Sequence, residues 1–382
     1  MNQELSSFAA RLRELISRPR SAIDDSQFNR LALELFALQI QNNFAYRKIC
    51  EARERTPQTV EHWTQIPSVP TAAFKELELT SLAPDERAAV FHSSGTTGQK
   101  PSRHFHSAES LKIYEASLNS WFGENVLSNF QFPISNFQWL CLTPPPSQAP
   151  CSSLVHMFET VRQNLGSPAS AFAGKTDADG AWTLDFDAAI VALGEKQKSK
   201  NRNPKLILGT AFSFVHLLDH LIGQGLRFEL PAGSHAMETG GYKNRSRSLP
   251  KSELHALITE RLGIPPEKII CEYGMSELSS QAYAVMSDKG QATGKNGVTH
   301  HSSLITHHFK FPPWARVQII SPGTNREAAD GETGLIRVFD LANVFSVAAI
   351  QAEDLGVRRG DGFELIGRAQ LAAPRGCSLM TA

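Results

Sequence analysis

Residues 205–209 are Lys-Leu-Ile-Leu-Gly, and a helical stretch from Phe212 to Leu221 follows at once. A short apolar run that continues directly into a helix is typical of a buried strand in an α/β sheet. The same units return downstream, because Lys251–Leu262 has helical spacing, Gly263 ends it, and Lys268–Glu272 is again a short apolar run. Strands alternating with helices predict a doubly wound α/β fold.

Further elements are predicted on both sides of this stretch. Trp139–Thr143 is closed by three prolines and Arg227–Leu230 is a short run, so both are expected to be strands. A helix is expected over residues 107–122, with Ser107 as its cap. Residues 1–60 have helical periodicity. Beyond residue 310, three short strand candidates lie between Gly and Asp turns and indicate a β-rich subdomain: Val317–Ile320, Leu335–Phe339 and Phe363–Ile366.

These patterns divide the chain into four parts. We expect an N-terminal helical region over residues 1–70, an α/β core over 71–310, a β-rich subdomain over 311–368 and a C-terminal tail over 369–382.

Composition narrows the class of protein. The 382 residues are 41% hydrophobic, and 38 basic residues balance 38 acidic ones, so nothing suggests a nucleic-acid partner. No apolar run approaches the ~20 residues of a membrane span, and the first residues lack the apolar centre of a signal peptide. The five cysteines form no C-x-x-C pair, and a reducing, cytoplasmic location is expected for them.

The strongest chemical signal is a stretch of hydroxyls and glycines after His92: Ser93, Ser94, Gly95, Thr96, Thr97 and Gly98. Glycines let successive N–H groups point at one anion, and Lys100 and Arg103 add positive charge nearby. This chemistry suits a polyphosphate, although the order is not that of a Walker A loop. By itself, the stretch is equally consistent with a Ser/Thr/Gly surface loop.

A second signal, Tyr273-Gly274-Met275-Ser276-Glu277, follows a predicted strand, where α/β sheets place their ligand sites. An aromatic ring, a hydroxyl and a carboxylate there can stack on a base, bond a phosphate and hold Mg²⁺, respectively. Alone, it could equally be a strand end with a solvated glutamate.

Together, the two motifs resemble those of the adenylate-forming superfamily of acyl-CoA synthetases, adenylation domains and luciferases. Further resemblances follow in that superfamily's order over roughly residues 70–377, at Met237–Gly241, Gly331–Ile336, Ala352–Gly356 and Gly367–Arg368. The resemblance implies an adenylate-forming large domain and the use of ATP and Mg²⁺.

The resemblance also implies a role for each matching residue. Ser93 to Gly98 would hold the β- and γ-phosphates, and Gly240 and Gly241 would run beside the adenine. Tyr273 would stack on the adenine, Ser276 would bond the α-phosphate and Glu277 would bind Mg²⁺. Asp354 would hold the ribose, and Arg368 would contact the ribose or the α-phosphate.

Two departures from the superfamily matter. Its loop is usually followed by Pro-Lys, whereas this chain has Lys100-Pro101, so a catalytic role for Lys100 rests on the resemblance alone. The sequence also stops about where a small C-terminal domain with a catalytic lysine would begin, and we expect that domain to be absent or truncated.

Cys377 lies near the C-terminus, after Arg375 and Gly376. A tethered thiol has a high effective concentration, and a neighbouring cation favours its thiolate. The pattern resembles acyl-protein synthetases of the LuxE type, which carry an acylated cysteine near the chain end. That resemblance implies that a fatty acid is activated as acyl-AMP, moved to Cys377 as a thioester and delivered to a reductase-type partner.

Three alternatives stay open at this stage. The thiol could be inert, and the acyl acceptor could then be coenzyme A or a carrier protein. The chain could instead be a non-catalytic nucleotide-binding subunit. Four histidines, at positions 300, 301, 307 and 308, could suggest a metal, but loop histidines are the better interpretation because no acidic or cysteine ligand is near them in sequence.

Overall fold

The computed structural model describes residues 2–18, 23–93, 100–127, 137–165, 170–178, 180–194, 203–241, 247–285 and 308–369. The helices in these ranges are α1 Gln3–Ile16, α2 Asp25–Asn42, α3 Phe44–Ala52, α4 Ala73–Glu76, α5 Ala108–Phe122, α6 Ser153–Leu165, α7 Phe186–Gly194, α8 Ala211–Gly223 and α9 Lys251–Leu262. The strands are β1 Val69–Pro70, β2 Ala89–His92, β3 Arg103–His106, β4 Gln138–Cys141, β5 Ala171–Phe172, β6 Gly174–Thr176, β7 Trp182–Leu184, β8 Lys205–Thr210, β9 His235–Thr239, β10 Ile269–Tyr273, β11 Ala282–Val285, β12 His308–Phe309, β13 Ala315–Ile320, β14 Thr333–Asp340, β15 Ala349–Arg359 and β16 Gly362–Arg368.

The central sheet has the strand order β11-β10-β9-β8-β4-β5 and is parallel except for β11. Successive residues of β8 point to opposite faces. Leu206 and Leu208 join the hydrophobic cluster under α5 and α6, whereas Ile207 joins the cluster under α8 and α9. Both faces are therefore covered by helices, which confirms the predicted doubly wound α/β core.

The second sheet has the order β12-β16-β15-β14-β13, and β1 pairs in parallel with β15. It confirms the β-rich region expected after residue 310. The N-terminal helices pack on this sheet, since the Phe28 ring meets Phe339 edge-on with 5.8 Å between centroids. In α2, the Gln39 side chain donates to the Asn343 carbonyl at 2.8 Å. Because the helices and the sheet share one hydrophobic cluster, the domain boundaries proposed from sequence stay a prediction.

Two helix predictions are confirmed almost to the residue. The Ser107 hydroxyl accepts the Ser110 N–H at 3.1 Å, so Ser107 is the N-cap of α5. Helix α9 ends at Leu262, and Gly263 then takes a φ of +69°, the left-handed conformation that glycine adopts without strain.

One strand prediction is wrong. Arg227–Leu230 pairs with no strand, because the N–H groups of Phe228 and Leu230 donate to the carbonyls of Arg261 and Leu262 at the end of α9. The strand between β8 and β10 is instead β9, His235–Thr239.

Across the described ranges, no helix combines the length and the apolar character that crossing a bilayer would require.

Candidate active site

The sheet brings two predicted segments side by side. Strands β9 and β10 are parallel neighbours, with Thr239 paired to Glu272, so Gly240, which follows β9, and Tyr273, the last residue of β10, both lie at the carboxyl ends of these strands. Gly240 has a φ of +67°, which favours glycine at the point where the chain turns away. Carboxyl ends of parallel strands are where doubly wound folds bind ligands, so this edge is the candidate nucleotide site.

The phosphate-loop hairpin, β2 and β3, is hydrogen-bonded to the segment after β10. The Ser276 hydroxyl donates to the His92 carbonyl at 2.9 Å, and the Ser276 carbonyl lies 2.9 Å from Nδ1 of His104. Across the hairpin, the Ser102 N–H donates to the Ser93 hydroxyl at 3.0 Å. The hairpin that flanks the first motif is therefore held against the segment that carries the second, some 180 residues away. Ser94, Gly95, Thr96, Thr97 and Gly98 lie outside the described residues.

His104 has a defined tautomer in this contact. Burial lowers its pKa to about 4, so the imidazole is neutral at pH 7. A carbonyl can only accept a hydrogen bond, so the hydrogen must be on Nδ1. His104 is thus a donor that fixes the Ser276 backbone relative to the hairpin.

Glu277 is a carboxylate held almost out of water, with 4% of its surface exposed. Burial raises its pKa, while the Ser102 hydroxyl and the positive charge of Lys75 act in the opposite direction. Its backbone carbonyl accepts from the Asn343 side chain at 2.9 Å. A buried carboxylate with a raised pKa gains from a nearby cation, so the site fits the Mg²⁺ that the resemblance implies.

Asp340 holds the loop that follows Glu277. This fully buried carboxylate accepts from the Ser279 N–H at 3.0 Å, the Ser280 hydroxyl at 2.8 Å and the Ala342 N–H at 2.9 Å. Burial nevertheless raises its pKa to about 6. The bonds from Ser279 and Ser280 join the end of β14 to the segment that carries Ser276 and Glu277.

Tyr273 and Asp354 also meet. The tyrosine hydroxyl donates to the Asp354 carboxylate at 3.0 Å, and burial raises the pKa of that carboxyl. Asp354 is paired across β15 and β16 with Arg368, whose guanidinium reaches Glu353 at 2.6 Å. The expected base, ribose and α-phosphate contacts thus lie on neighbouring elements.

Of the other predicted residues, Lys100 is 53% exposed, and its ammonium lies 3.5 Å from the Glu76 carboxylate. Cys377 and three of the four histidines, at 300, 301 and 307, lie outside the described residues. The fourth, His308, has Nε2 3.9 Å from the Asp361 carboxylate.

Glu272 provides a prediction about pH. Burial raises its pKa to about 7, although the Thr239 hydroxyl donates to it. The unfolded carboxyl titrates near 4.3, so the folded state binds more protons between about pH 4.3 and 7, and the free energy of unfolding falls as pH rises through that window. In Glu272→Gln, the decrease in the free energy of unfolding over this window should be smaller by up to about 3 kcal/mol. Urea unfolding of both proteins at pH 5, 6, 7 and 8 measures it, and parallel curves would contradict the buried carboxyl.

Sequence reasoning missed the residues that support the site, namely Lys75, His104, Asp340 and Asn343. His104 and His106 alternate on β3 and both point inward, which a period-two pattern could have indicated. Asp340 and Asn343 carry no such signal, because their partners are distant in sequence.

The fold is that of adenylate-forming enzymes. A crystal structure of 2-hydroxyisobutyryl-CoA ligase in an open conformation superposes with a TM-score of 0.63 at 12% identity, covering 90% of this chain and 74% of the ligase. A second structure of the same ligase, in the postadenylation state, gives a TM-score of 0.64 at 12% identity, over 90% of this chain and 67% of that one. The described residues correspond to the large domain of this class.

Within that class the family is also defined. Residues 15–382 match the family model "Acyl-protein synthetase, LuxE", and the chain belongs to this family of ligases. The long-chain-fatty-acid–luciferin-component ligase of Vibrio harveyi is 25% identical over 361 residues, which are 92% of this chain and 86% of the relative. The ligase of the same name from Aliivibrio fischeri is 23% identical over 367 residues, 93% of this chain and 87% of that one.

Proposed function

We propose that this enzyme activates a fatty acid with ATP, moves the acyl group from acyl-AMP to Cys377 and delivers it to an acyl-reductase type of partner in the cytoplasm. The observation that carries the proposal is the bond from the Ser276 hydroxyl to the His92 carbonyl, because it holds the end of β2, which leads into Ser93 to Gly98, against the segment of Ser276 and Glu277. Family membership supports the acyl-protein product, and the relatives' names support a long-chain fatty acid as substrate.

In the first half-reaction, a carboxylate oxygen of the acid attacks the α-phosphorus of ATP. The new C(O)O–P bond replaces the bond to pyrophosphate, which leaves. Ser93 to Gly98 would hold the β- and γ-phosphates, and Ser276 would donate to the α-phosphate. Lys100, or Lys75, whose positive charge acts on Glu277, would add positive charge. Glu277 would hold Mg²⁺, which when bound offsets the charge that develops on the phosphates.

The nucleoside would be held at the sheet edge. Tyr273 would face the adenine with Gly240 and Gly241 on its other side, while Asp354 would accept from the ribose hydroxyls. In the structure the Asp354 carboxylate accepts a hydrogen bond from the Tyr273 hydroxyl at 3.0 Å, which supports the proposal that it accepts from hydroxyl groups. Arg368, its cross-strand neighbour, would approach the ribose or the α-phosphate.

In the second half-reaction, the Cys377 thiolate attacks the acyl carbon. A C–S bond forms, the C–O bond to AMP breaks, and the thiol proton has passed to solvent. The thioester is a covalent intermediate that keeps the acyl group activated for the partner.

The test of this proposal is intact-protein mass spectrometry after incubation with MgATP and a panel of acids. A mass increase of one acyl group, removed by hydroxylamine, supports it. Acid-dependent pyrophosphate exchange without a protein-bound acyl group would instead favour coenzyme A or a carrier protein as acceptor. Absence of exchange would favour a non-catalytic nucleotide-binding subunit.

Asp354→Ala should raise the KM for ATP about 10-fold or more and change kcat little, because ribose contacts contribute equally to ground and transition states. Steady-state pyrophosphate exchange at varied ATP gives both constants. Tyr273→Phe is the matched control, since it removes the hydroxyl that donates to Asp354 and keeps the aromatic ring of residue 273. A large fall in kcat at unchanged KM would contradict the ribose role.

A further inference from the structure

A buried group of metal-ligand side chains lies beneath the ends of β9 and β10. Glu238 and Cys271 are paired across these strands, and His255 of α9 packs against them. Glu238 and Cys271 are completely buried, and His255 is 3% exposed. Two strands and a helix therefore bring a carboxylate, a thiol and an imidazole together outside the proposed ATP site.

The three ligand atoms lie close to one another. His255 Nε2 lies 3.6 Å from Glu238 Oε1 and 3.9 Å from Cys271 Sγ, and all three atoms fall within 4.8 Å of one another. Zinc bonds of about 2.0–2.3 Å in a tetrahedron separate neighbouring ligand atoms by about 3.5 Å. A Cys-His-Glu proton relay would use both ring nitrogens, whereas here a single nitrogen faces both partners.

A cation already faces this group. The Lys251 ammonium lies 2.7 Å from Glu238 Oε1, and the Lys251 side chain is 33% exposed. Glu238 Oε2 is buried and has no hydrogen-bond partner among the described residues. Burial favours the neutral acid, yet Lys251 and His255 hold the pKa of Glu238 below its usual value, so it is a carboxylate. The Glu238 carboxylate is thus stabilised by positive charge, and its Oε2 atom is an acceptor to which Lys251 does not bind.

We propose that Glu238, His255 and Cys271 form a binding site for a divalent transition metal, with zinc as the best match. A thiolate with an imidazole and a carboxylate suits zinc and disfavours Mg²⁺ or Ca²⁺. The free carboxylate oxygen or a water would complete the coordination. The proposal does not depend on the proposed acyl transfer.

Charge is conserved when the metal enters. Before binding, the Lys251 ammonium balances the Glu238 carboxylate, and burial raises the pKa of Cys271, so its thiol is neutral. On binding, Cys271 releases its proton to solvent, and the metal–sulfur bond forms. The metal replaces the ammonium as the partner of Glu238, and two anionic ligands, Glu238 and Cys271, balance the dication.

The metal would connect the elements that position the nucleotide. Glu238 precedes the Thr239-Gly240 turn, and Cys271 is two residues before Tyr273. A ligand that binds only the folded state raises its stability, so metal should raise the thermal midpoint even without ATP or acid.

The direct test is titration of the metal-free, full-length protein with Co²⁺. We expect one equivalent to give a thiolate-to-cobalt absorption band, and Zn²⁺ to remove it. Cys271→Ser should abolish the band and weaken Zn²⁺ binding at least about 100-fold. Cys141→Ser is the matched control, because Cys141 is an equally buried strand thiol on the opposite face of the sheet and should keep both properties.

Lys251→Met supplies a test that misfolding cannot imitate. Removing the competing ammonium should tighten Zn²⁺ binding about 10-fold, because Glu238 is then left without its charged partner. The proposal is overturned if the wild-type protein gives no thiolate band. It is equally overturned if the band persists in Cys271→Ser, or if folded Lys251→Met binds Zn²⁺ no tighter than the wild type.

Discussion

In Cys377→Ser, the amount of hydroxylamine-sensitive acyl group on the protein should fall about 1,000-fold or more, because the substitution removes the nucleophile of the second half-reaction. Pyrophosphate exchange should continue at close to the wild-type rate, since the nucleotide contacts are assigned to other residues. Labelled fatty acid with MgATP, followed by denaturing electrophoresis, measures the first quantity, and isotope exchange measures the second.

Cys151→Ser is the control for this variant. Cys151 is a partly exposed thiol, so it tests whether any accessible cysteine can take the acyl group. Cys141 and Cys50 are poorer controls because both are buried, and burial raises their thiol pKa values. Normal acylation of Cys377→Ser, or a label mapped to another residue, would leave coenzyme A or a carrier protein as the better acceptor.

Glu277→Ala should lower acid-dependent pyrophosphate exchange about 100-fold or more, because a metal ligand contributes several kcal/mol of charge stabilisation at the reacting phosphates. The fold should survive, since Asn343 bonds the Glu277 backbone carbonyl, which alanine keeps. The variant should even be slightly more stable above pH 7, because it no longer buries a charged carboxylate.

Glu272→Gln is the matched control for Glu277→Ala. Both glutamates are buried, and both have a raised pKa. Glu272, however, accepts a hydrogen bond from the Thr239 hydroxyl and is not proposed as a ligand of Mg²⁺. Exchange in this control should stay within a few-fold of wild type. If folded Glu277→Ala catalyses pyrophosphate exchange at the wild-type rate, the assignment of Glu277 to Mg²⁺ is wrong.

The sequence predicted most of the central sheet because its signals are local. Residues 205–209 are all buried or nearly so, and the strand is recognisable from the apolar run alone. Strand β9 was missed because His235 and Glu238 are polar, and only the structure shows that Lys251 pairs with Glu238. Arg227–Leu230 was misassigned because its N–H groups are satisfied by the end of a helix, which no periodicity reveals.

The site was predictable to the extent that its chemistry lies within short motifs. Ser276 and Tyr273 could be proposed because the hydroxyl and the ring are close in sequence, and their hydrogen-bond partners His92 and Asp354 belong to other predicted segments. The buried Glu238 group was not predicted, since its members lie on three separate elements. The four-residue spacing of Lys251 and His255 on one helical face was the available local signal.

The hydrogen bond from Gln39 to the Asn343 carbonyl also affects which segments can be exchanged between related enzymes. Asn343 in turn bonds the Glu277 carbonyl, and Gln39 accepts the Ala348 N–H at 3.1 Å, so α2 is two hydrogen bonds away from the candidate metal ligand. In a chimera that takes its first sixty residues from a relative, residues of another protein would therefore support the segment that carries Ser276 and Glu277. Exchanges should preserve activity only when the N-terminal helices and the segment 343–348 are inherited from the same parent.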